Sequence, residues 1–301
     1  MTDSRNYPIA TRLLALIHFC GMTPRMFDVL LRRFGTVEAL FEVDRDTYLG
    51  VDGLTESQID HLVKANDQLE PAARLAQQLA ERDIRLLTQF DPEYGQLLLE
   101  LNDPPPLLYV RGLFPDRDVK TAAVVGTHRA GTEGIALTST LVKALVGKGV
   151  QVVSTLKGGI DVAAHLAAVS NKGRSFAVLD CGIDRVATKE KMPVAIDVAR
   201  QGGVISEYHP ELKAGDDSLR QANRLVVGLS QAVIVTEMYS NSRRTLDMVK
   251  ACCEVGKLLF FFIDPNLGAL ADDTALARAI ECGAIPLDGL DKIDDIVRSL
   301  L

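Results

Sequence analysis

The rhythm of the chain from residue 121 onward limits its fold more than any other feature. Six short runs, TAAVVG, VQVVS, SFAVLD, GVIS, AVIVTE and LLFFFI, are apolar without alternation, and stretches long enough for a helix separate them. A strand with one wetted face alternates apolar with polar residues, whereas a continuous run has both faces buried. Strands of that kind, joined by crossover helices, specify an α/β fold: a doubly wound parallel sheet with its ligand crevice beyond the carboxyl ends of the strands. Functional side chains are therefore expected just after each run.

Upstream, residues 10 to about 80 place apolar side chains at a period near four, which predicts helices. In GMTPRMFDVLLRRFG, Thr23 is the expected N-cap, Pro24 the first helical residue and Gly35 the stop. Thr55-x-x-Gln58 is a capping box ahead of Ile59 and Leu62. Short helices entered in this way suggest a small bundle of the sterile-alpha-motif or helix-hairpin-helix kind, which binds DNA backbone or protein, or only packs. The three prolines of LNDPPPLLYVRG forbid a helix and enforce an extended connection. The expected organisation is a helical domain over 1–85, an extended linker and lead-in over 86–120, and a Rossmann-like core over 121–301 ending in a short acidic helix.

Composition narrows the partners. The 301 residues carry a net charge of −7, aromatics are 5% and Trp is absent, so neither a basic coat nor a base-stacking platform is expected. Residues 101–262 nevertheless hold 20 Lys+Arg against 16 Asp+Glu, which leaves room for a confined cationic pocket at the strand ends. Five cysteines without a Cys-x-x-Cys predict no disulfide framework and no metal site. The first residues lack the plan of a secretion signal, and no apolar run approaches the roughly 20 residues that span a bilayer, so a cytoplasmic protein without a membrane partner is expected.

The strand exits carry the chemistry. After the first run, the turn from Gly126 through Thr127, His128 and Arg129 to Gly134 leads into a helix, whose free N–H groups and dipole suit phosphate. Neither Gly-x-Gly-x-x-Gly nor a P-loop is present, so no cofactor is expected. The second run ends in Ser154, a strand-end hydroxyl, followed by Lys157, Gly158 and Gly159, a point charge beside glycines that let backbone approach a ligand. Asp161 and His165, one helical turn apart, read as an orienting carboxylate and a structural imidazole, not a catalytic dyad. Cys181 reads as a packed thiol. Glu207 and Glu237 are expected to orient neighbouring groups, with Asp161 or Glu237 as the carboxylate that Glu207 could pair with. Asn223 and Arg224 point toward the crevice, and Arg243 and Arg244 follow Ser242 at a helix start, where two cations oppose the dipole unless an anion is bound.

Together these segments resemble the DprA/Smf family of DNA-processing proteins. The block Ser154-Thr155-Leu156-Lys157-Gly158-Gly159-Ile160-Asp161-Val162-Ala163-Ala164-His165 is similar to the family's Ser-Gly-Leu-Ala-x-Gly-Ile-Asp-x-x-Ala-His, and Asn223-Arg224-Leu225-Val226-Val227-Gly228-Leu229-Ser230 to its Asn-Arg-Ile-Ile-Ala-Gly-Leu-Ser. Thr127 and His128 replace a family Ser-Arg, and Ser242-Arg243-Arg244-Thr245 a loop of small residues. The resemblance implies binding of single-stranded DNA, a homodimer through the Rossmann-like domain and delivery of RecA to the strand, without turnover. The setting would be recombination, natural transformation or a mobile element. Contact candidates are Gly126, Thr127, His128, Arg129, Ser154, Lys157, Gly158, Gly159, Asn223, Arg224, Ser242, Arg243 and Arg244, with Lys189 and Lys191 as second choices. Two other readings stand beside it: the neutralising partner of a toxin in a phage-defence locus, and a Rossmann enzyme on nucleotides, whose Pro-Gly-Gly-x-Gly-Thr-x-x-Glu signature is missing.

Overall fold

A computed structural model describes residues 4–186, 191–215, 217–239, 242–263, 277, 279–281 and 283–300, the side chain of Arg244 excepted. The chain divides into two compact units, one of residues 1–94 and 102–109, the other of residues 95–101 and 110–301.

The first unit holds helices α1 (Ile9–Leu14), α2 (Pro24–Phe34), α3 (Arg45–Leu49), α4 (Glu56–Leu62) and α5 (Leu69–Ala80), then strand β1 (Ile84–Thr88). The local signals act as the sequence predicts. Thr23 Oγ1 accepts from Met26 N–H at 3.2 Å, Gly35 closes α2 at φ 86°, and Thr55 and Gln58 form the reciprocal capping box of α4. Phe27 and Leu30 turn the apolar face of α2 inward.

Residues 86–120, expected as an extended linker, are more structured than their prolines suggest. They hold the end of β1, the short helix α6 (Gln96–Leu99) and strand β2 (Leu107–Gly112). The prolines enforce extension, and an extended segment with apolar residues after it is what a sheet recruits. Tyr94 is fully buried and donates its hydroxyl to Pro105 O at 2.7 Å, fixing the proline run.

The second unit continues with β3 (Thr121–Gly126), α7 (Thr132–Gly147), β4 (Gln151–Thr155), α8 (Ile160–Ser170), β5 (Ser175–Val178), α9 (Lys191–Gln201), β6 (Gly203–Ser206), α10 (Ser218–Gly228), β7 (Ala232–Glu237), α11 (Arg243–Glu254), β8 (Leu258–Phe262), β9 (Ile285–Leu287) and α12 (Ile293–Ser299). From β6 its strand order is β6-β5-β4-β3-β7-β8-β9. Every pairing from β6 to β9 is parallel. This is the doubly wound α/β sheet that the apolar runs demand, and all six runs are strands. The core between the sheet and α7, α8 and α12 is made of Val124, Leu141, Val152, Ile234 and Phe262 with their neighbours. The order reverses between β3 and β7: connections from β3 run one way along the sheet and those from β7 the other. That reversal opens the crevice where ligands of such sheets bind.

Among the described residues no helix is long and apolar enough to cross a membrane. Cys20, Cys181 and Cys252 are buried free thiols. Cys253 is disulfide-bonded, where the sequence reading expected no disulfide framework.

Candidate functional site at the strand ends

Two cavities open at the carboxyl ends of the strands, and Lys157 lines both. The first is a narrow cleft bounded by Gly126, His128, Thr155, Asp161, Asn223 and Thr245 among others, with a free volume of about 20 Å³. That is room for about one water. The second measures about 450 Å³ and lies beyond β4 and β5, within the range of roughly 300–1,000 Å³ usual for small-molecule sites. Among the described residues Lys157, Arg185, Lys191 and Lys213 line it against two carboxylates, Asp180 and Asp184, with Leu156, Leu179 and Val186 as its apolar wall.

The groups around the narrow cleft are largely held by one another. Gly126 of β3 is in register with Glu237 of β7, and Thr127 N–H donates to Glu237 O at 2.9 Å. The Glu237 carboxylate lies at the start of α7, where Gly131 N–H donates to it at 3.1 Å, and Tyr239 Oη donates from the other side. That bond raises the Tyr239 hydroxyl to about 12. Glu237 is 2% exposed, so the partial positive charge of the helix start is already met by a buried anion. The expected phosphate seat at the Gly126 turn is therefore filled from within the chain.

Glycines of the second turn serve the same internal packing. Gly158 and Gly159 have φ of 128° and 55°, and a Cβ on Gly159 would stand 2.2 Å from Thr127 O. The close approach these glycines permit is to the neighbouring turn, not to a ligand. Ser154 is also turned inward, its Oγ donating to Val124 O at 2.7 Å, and Ser242 is a buried helix start that accepts from Tyr239 N–H at 3.1 Å. Both hydroxyls, expected as contacts, are engaged by neighbouring backbone, because a residue at a strand or helix end can face that backbone as readily as the crevice.

Asp161 and His165 do not bond each other. Asp161 accepts from Thr155 Oγ1, and burial raises its carboxyl to about 6 against the hydrogen bonds that stabilise the anion. His165 is fully buried between Ser175 Oγ, 2.7 Å from Nδ1, and Thr155 O, 2.9 Å from Nε2. Donation from Nε2 to the carbonyl fixes the neutral tautomer, and burial lowers the imidazole to about 4. Glu207 is matched neither with Asp161 nor with Glu237. Its partner is Arg224, whose Nη2 donates at 2.6 Å, while Arg224 Nε donates to Gln221 at 2.7 Å. Arg224 is thus held in a part-buried ion pair with Glu207 and is not a free phosphate contact. Burial raises the Cys181 thiol to about 11, leaving it protonated and a poor nucleophile.

On the wide cavity, register supplies the geometry. Thr155 pairs with Val178, so Lys157 and Asp180, each two residues further on, leave the sheet side by side and form an ion pair. Asp184 is bound by Arg111 at 3.1 Å, and Arg185 Nε donates to Glu211 O at 2.8 Å. Asp180, Arg185 and Lys213 are site residues that the sequence reading missed. Arg185, in Gly182-Ile183-Asp184-Arg185 just past the third apolar run, lies where a strand-exit cation could be read; Asp180 and Lys213 carry no such signal. His128, Arg129 and Arg243 are exposed, and Asn223 is buried at the cleft. Lys189 and the side chain of Arg244 lie outside the described residues. Among the described residues no three His, Cys, Asp or Glu side chains converge to hold a metal.

Comparison with known proteins agrees with this architecture. The family described as DNA recombination-mediator protein A matches residues 85–298. Protein Smf of Synechocystis is 31% identical over 222 residues, which is 72% of this chain and 55% of that protein, so the chain spans little more than half of that relative's length. The X-ray structure of DNA processing protein A from Streptococcus pneumoniae superposes with a TM-score of 0.79 at 24% identity, covering 96% of this chain and 99% of that one. DNA processing protein A from Helicobacter pylori, described for its single-stranded DNA binding mode, gives 0.61 at 23% identity over 71% of this chain and 96% of its own. With a match that runs from β1 into α12, the chain belongs to the DNA recombination-mediator protein A family.

Proposed function

We propose that the chain binds single-stranded DNA at the carboxyl ends of β4 and β5 and acts in DNA recombination, by binding and without turnover. The observation that carries this reading is the wide cavity, where among the described residues four cationic side chains face two carboxylates in a chain of net charge −7. A concave site of that sign concentrates a polyanion locally although the molecule as a whole repels it. The narrow cleft, with room for about one water, supports a contact by one phosphate oxygen at most, so the wide cavity is the seat for the backbone. The single-stranded DNA binding described for the Helicobacter pylori relative supports the choice of ligand. Delivery of the strand to RecA and a homodimer through the Rossmann-like unit complete the proposal and rest on the family resemblance.

Phosphate contact makes the binding tolerant of sequence and steep in salt. The test is a fluorescence-anisotropy titration of a labelled oligothymidylate and a duplex of equal length at two salt concentrations. Tighter binding of the single strand is expected. Lys191→Ala with Lys213→Ala should weaken it and flatten the dependence of log K on log salt by about 1.4, since each phosphate contact on a single strand contributes roughly 0.7. A wild-type chain that does not bind at low salt, or a double variant with an unchanged slope, overturns the proposal.

A further inference from the structure

Three groups at the strand ends that would attract a phosphate are each met by a carboxylate of the chain itself. Glu237 at the end of β7 holds the start of α7, Glu207 beyond β6 holds Arg224, and Asp180 beyond β5 holds Lys157. The first two are locked. Glu237 is 2% exposed, and the side chains of Arg224 and Glu207 are 13% and 10% exposed. The third is more open on its cationic side, with Lys157 at 22% and Asp180 at 11%, and it stands on the wall of the wide cavity, which both residues line.

The chemistry of the pair allows exchange. An ammonium on a four-carbon stem is a point charge with rotatable donors, able to turn from one oxygen to another without backbone movement, which a forked guanidinium held at two points is not. Lys157 lines both the narrow cleft and the wide cavity, so a strand in the wide cavity, or a single phosphate oxygen at the cleft, comes within its reach. We propose that Asp180 is a built-in competitor for the ligand's phosphate: it holds Lys157 in the free chain, and binding replaces the Asp180 carboxylate at Lys157 Nζ by a phosphate oxygen. Asp180 thereby sets the affinity and salt dependence of the site. The inference rests on the proposed single-strand binding and assigns its attenuating residue.

The reasoning fixes both sign and size. While paired, Lys157 condenses no counterion, and a displaced Asp180 repels the incoming phosphate. Asp180→Asn keeps the shape and removes both effects. It should tighten binding of a labelled oligothymidylate about fivefold at low salt, the upper end of what a partly exposed pair is worth. The salt slope should steepen by about 0.7, because one more cation releases a counterion. Adding Lys157→Ala to Asp180→Asn should abolish both gains. Thermal melts of each variant check the fold, and Asp180→Ser serves as a second neutral replacement if Asn perturbs it. Unchanged affinity and slope in a folded neutral variant overturn the inference while wild-type binding leaves the proposed function intact. So does a gain that persists without Lys157. If neither wild type nor variant binds a single strand at any salt, the binding reading itself fails, and this inference with it.

Discussion

Gly134 gives the sharpest test of the internal anion at α7. It is the third residue of that helix, where alanine in place of glycine ordinarily stabilises by roughly 1 kcal/mol. Here the neighbour reverses the sign. A Cβ on Gly134 would stand 2.0 Å from Glu237 Oε2 and 2.6 Å from its Cδ, far inside contact distance. Glu237 cannot swing to solvent cheaply, because it is 2% exposed and held by Gly131 N–H and Tyr239. Expelling it leaves a buried carboxylate without its donors, an event that costs about 3–5 kcal/mol. After the helical gain of about 1 kcal/mol, Gly134→Ala should lose roughly 2–4 kcal/mol. For a unit of this size that lowers Tm by roughly 5–15 °C. The assay is urea and thermal unfolding of wild type, Gly134→Ala, Glu237→Ala and the double variant. Removing the carboxylate removes the clash, so the double variant should be at least about 1 kcal/mol more stable than the sum of the singles. A Gly134→Ala chain that melts with or above wild type, or singles that add, refutes the account of α7 as a helix capped by its own chain.

Two further predictions concern buried charge. Arg224→Met should destabilise by about 2–3 kcal/mol because Glu207 is left without its cation in a mostly buried site, and adding Glu207→Met should recover most of the loss; urea midpoints compare the four chains. His165, lowered to about 4, contributes stability that is lost as pH falls from 6.5 through 4, whereas Asp161, raised to about 6, contributes stability that is present below 3.8 and lost as pH rises through 6. The two offset each other between pH 4 and 6, so Asp161→Asn should expose an acid loss of about 2 kcal/mol relative to wild type between pH 6.5 and 4.5; equal pH profiles for the two chains would remove Asp161 from the balance.

What the sequence disclosed of this molecule, and what it withheld, divides along a physical line. The six parallel strands were legible because burial on both faces leaves an unbroken apolar run, visible without knowing any partner. Strand β9 was not: Ile285-Pro286-Leu287 is three residues long with a proline at a sheet edge, too short to write a pattern. At the site, sequence registers a demand but not what meets it. Gly159 signals that something comes close, and the thing that comes close is Thr127 O; Gly134 makes room, and Glu237 fills it. Lys157 and Arg224 signal a need for negative charge, and Asp180 and Glu207 answer it from other strands. Those answers depend on β4 lying beside β5 and on α10 reaching the exit of β6, relations between distant segments that no local spacing encodes. A basic residue in a glycine turn therefore reads identically whether its anion is a ligand or its own chain. Only an exchangeable internal partner lets it be both in turn, and of the three pairs the Lys157–Asp180 pair, whose cation is the more exposed, has the open cavity beside it that exchange requires.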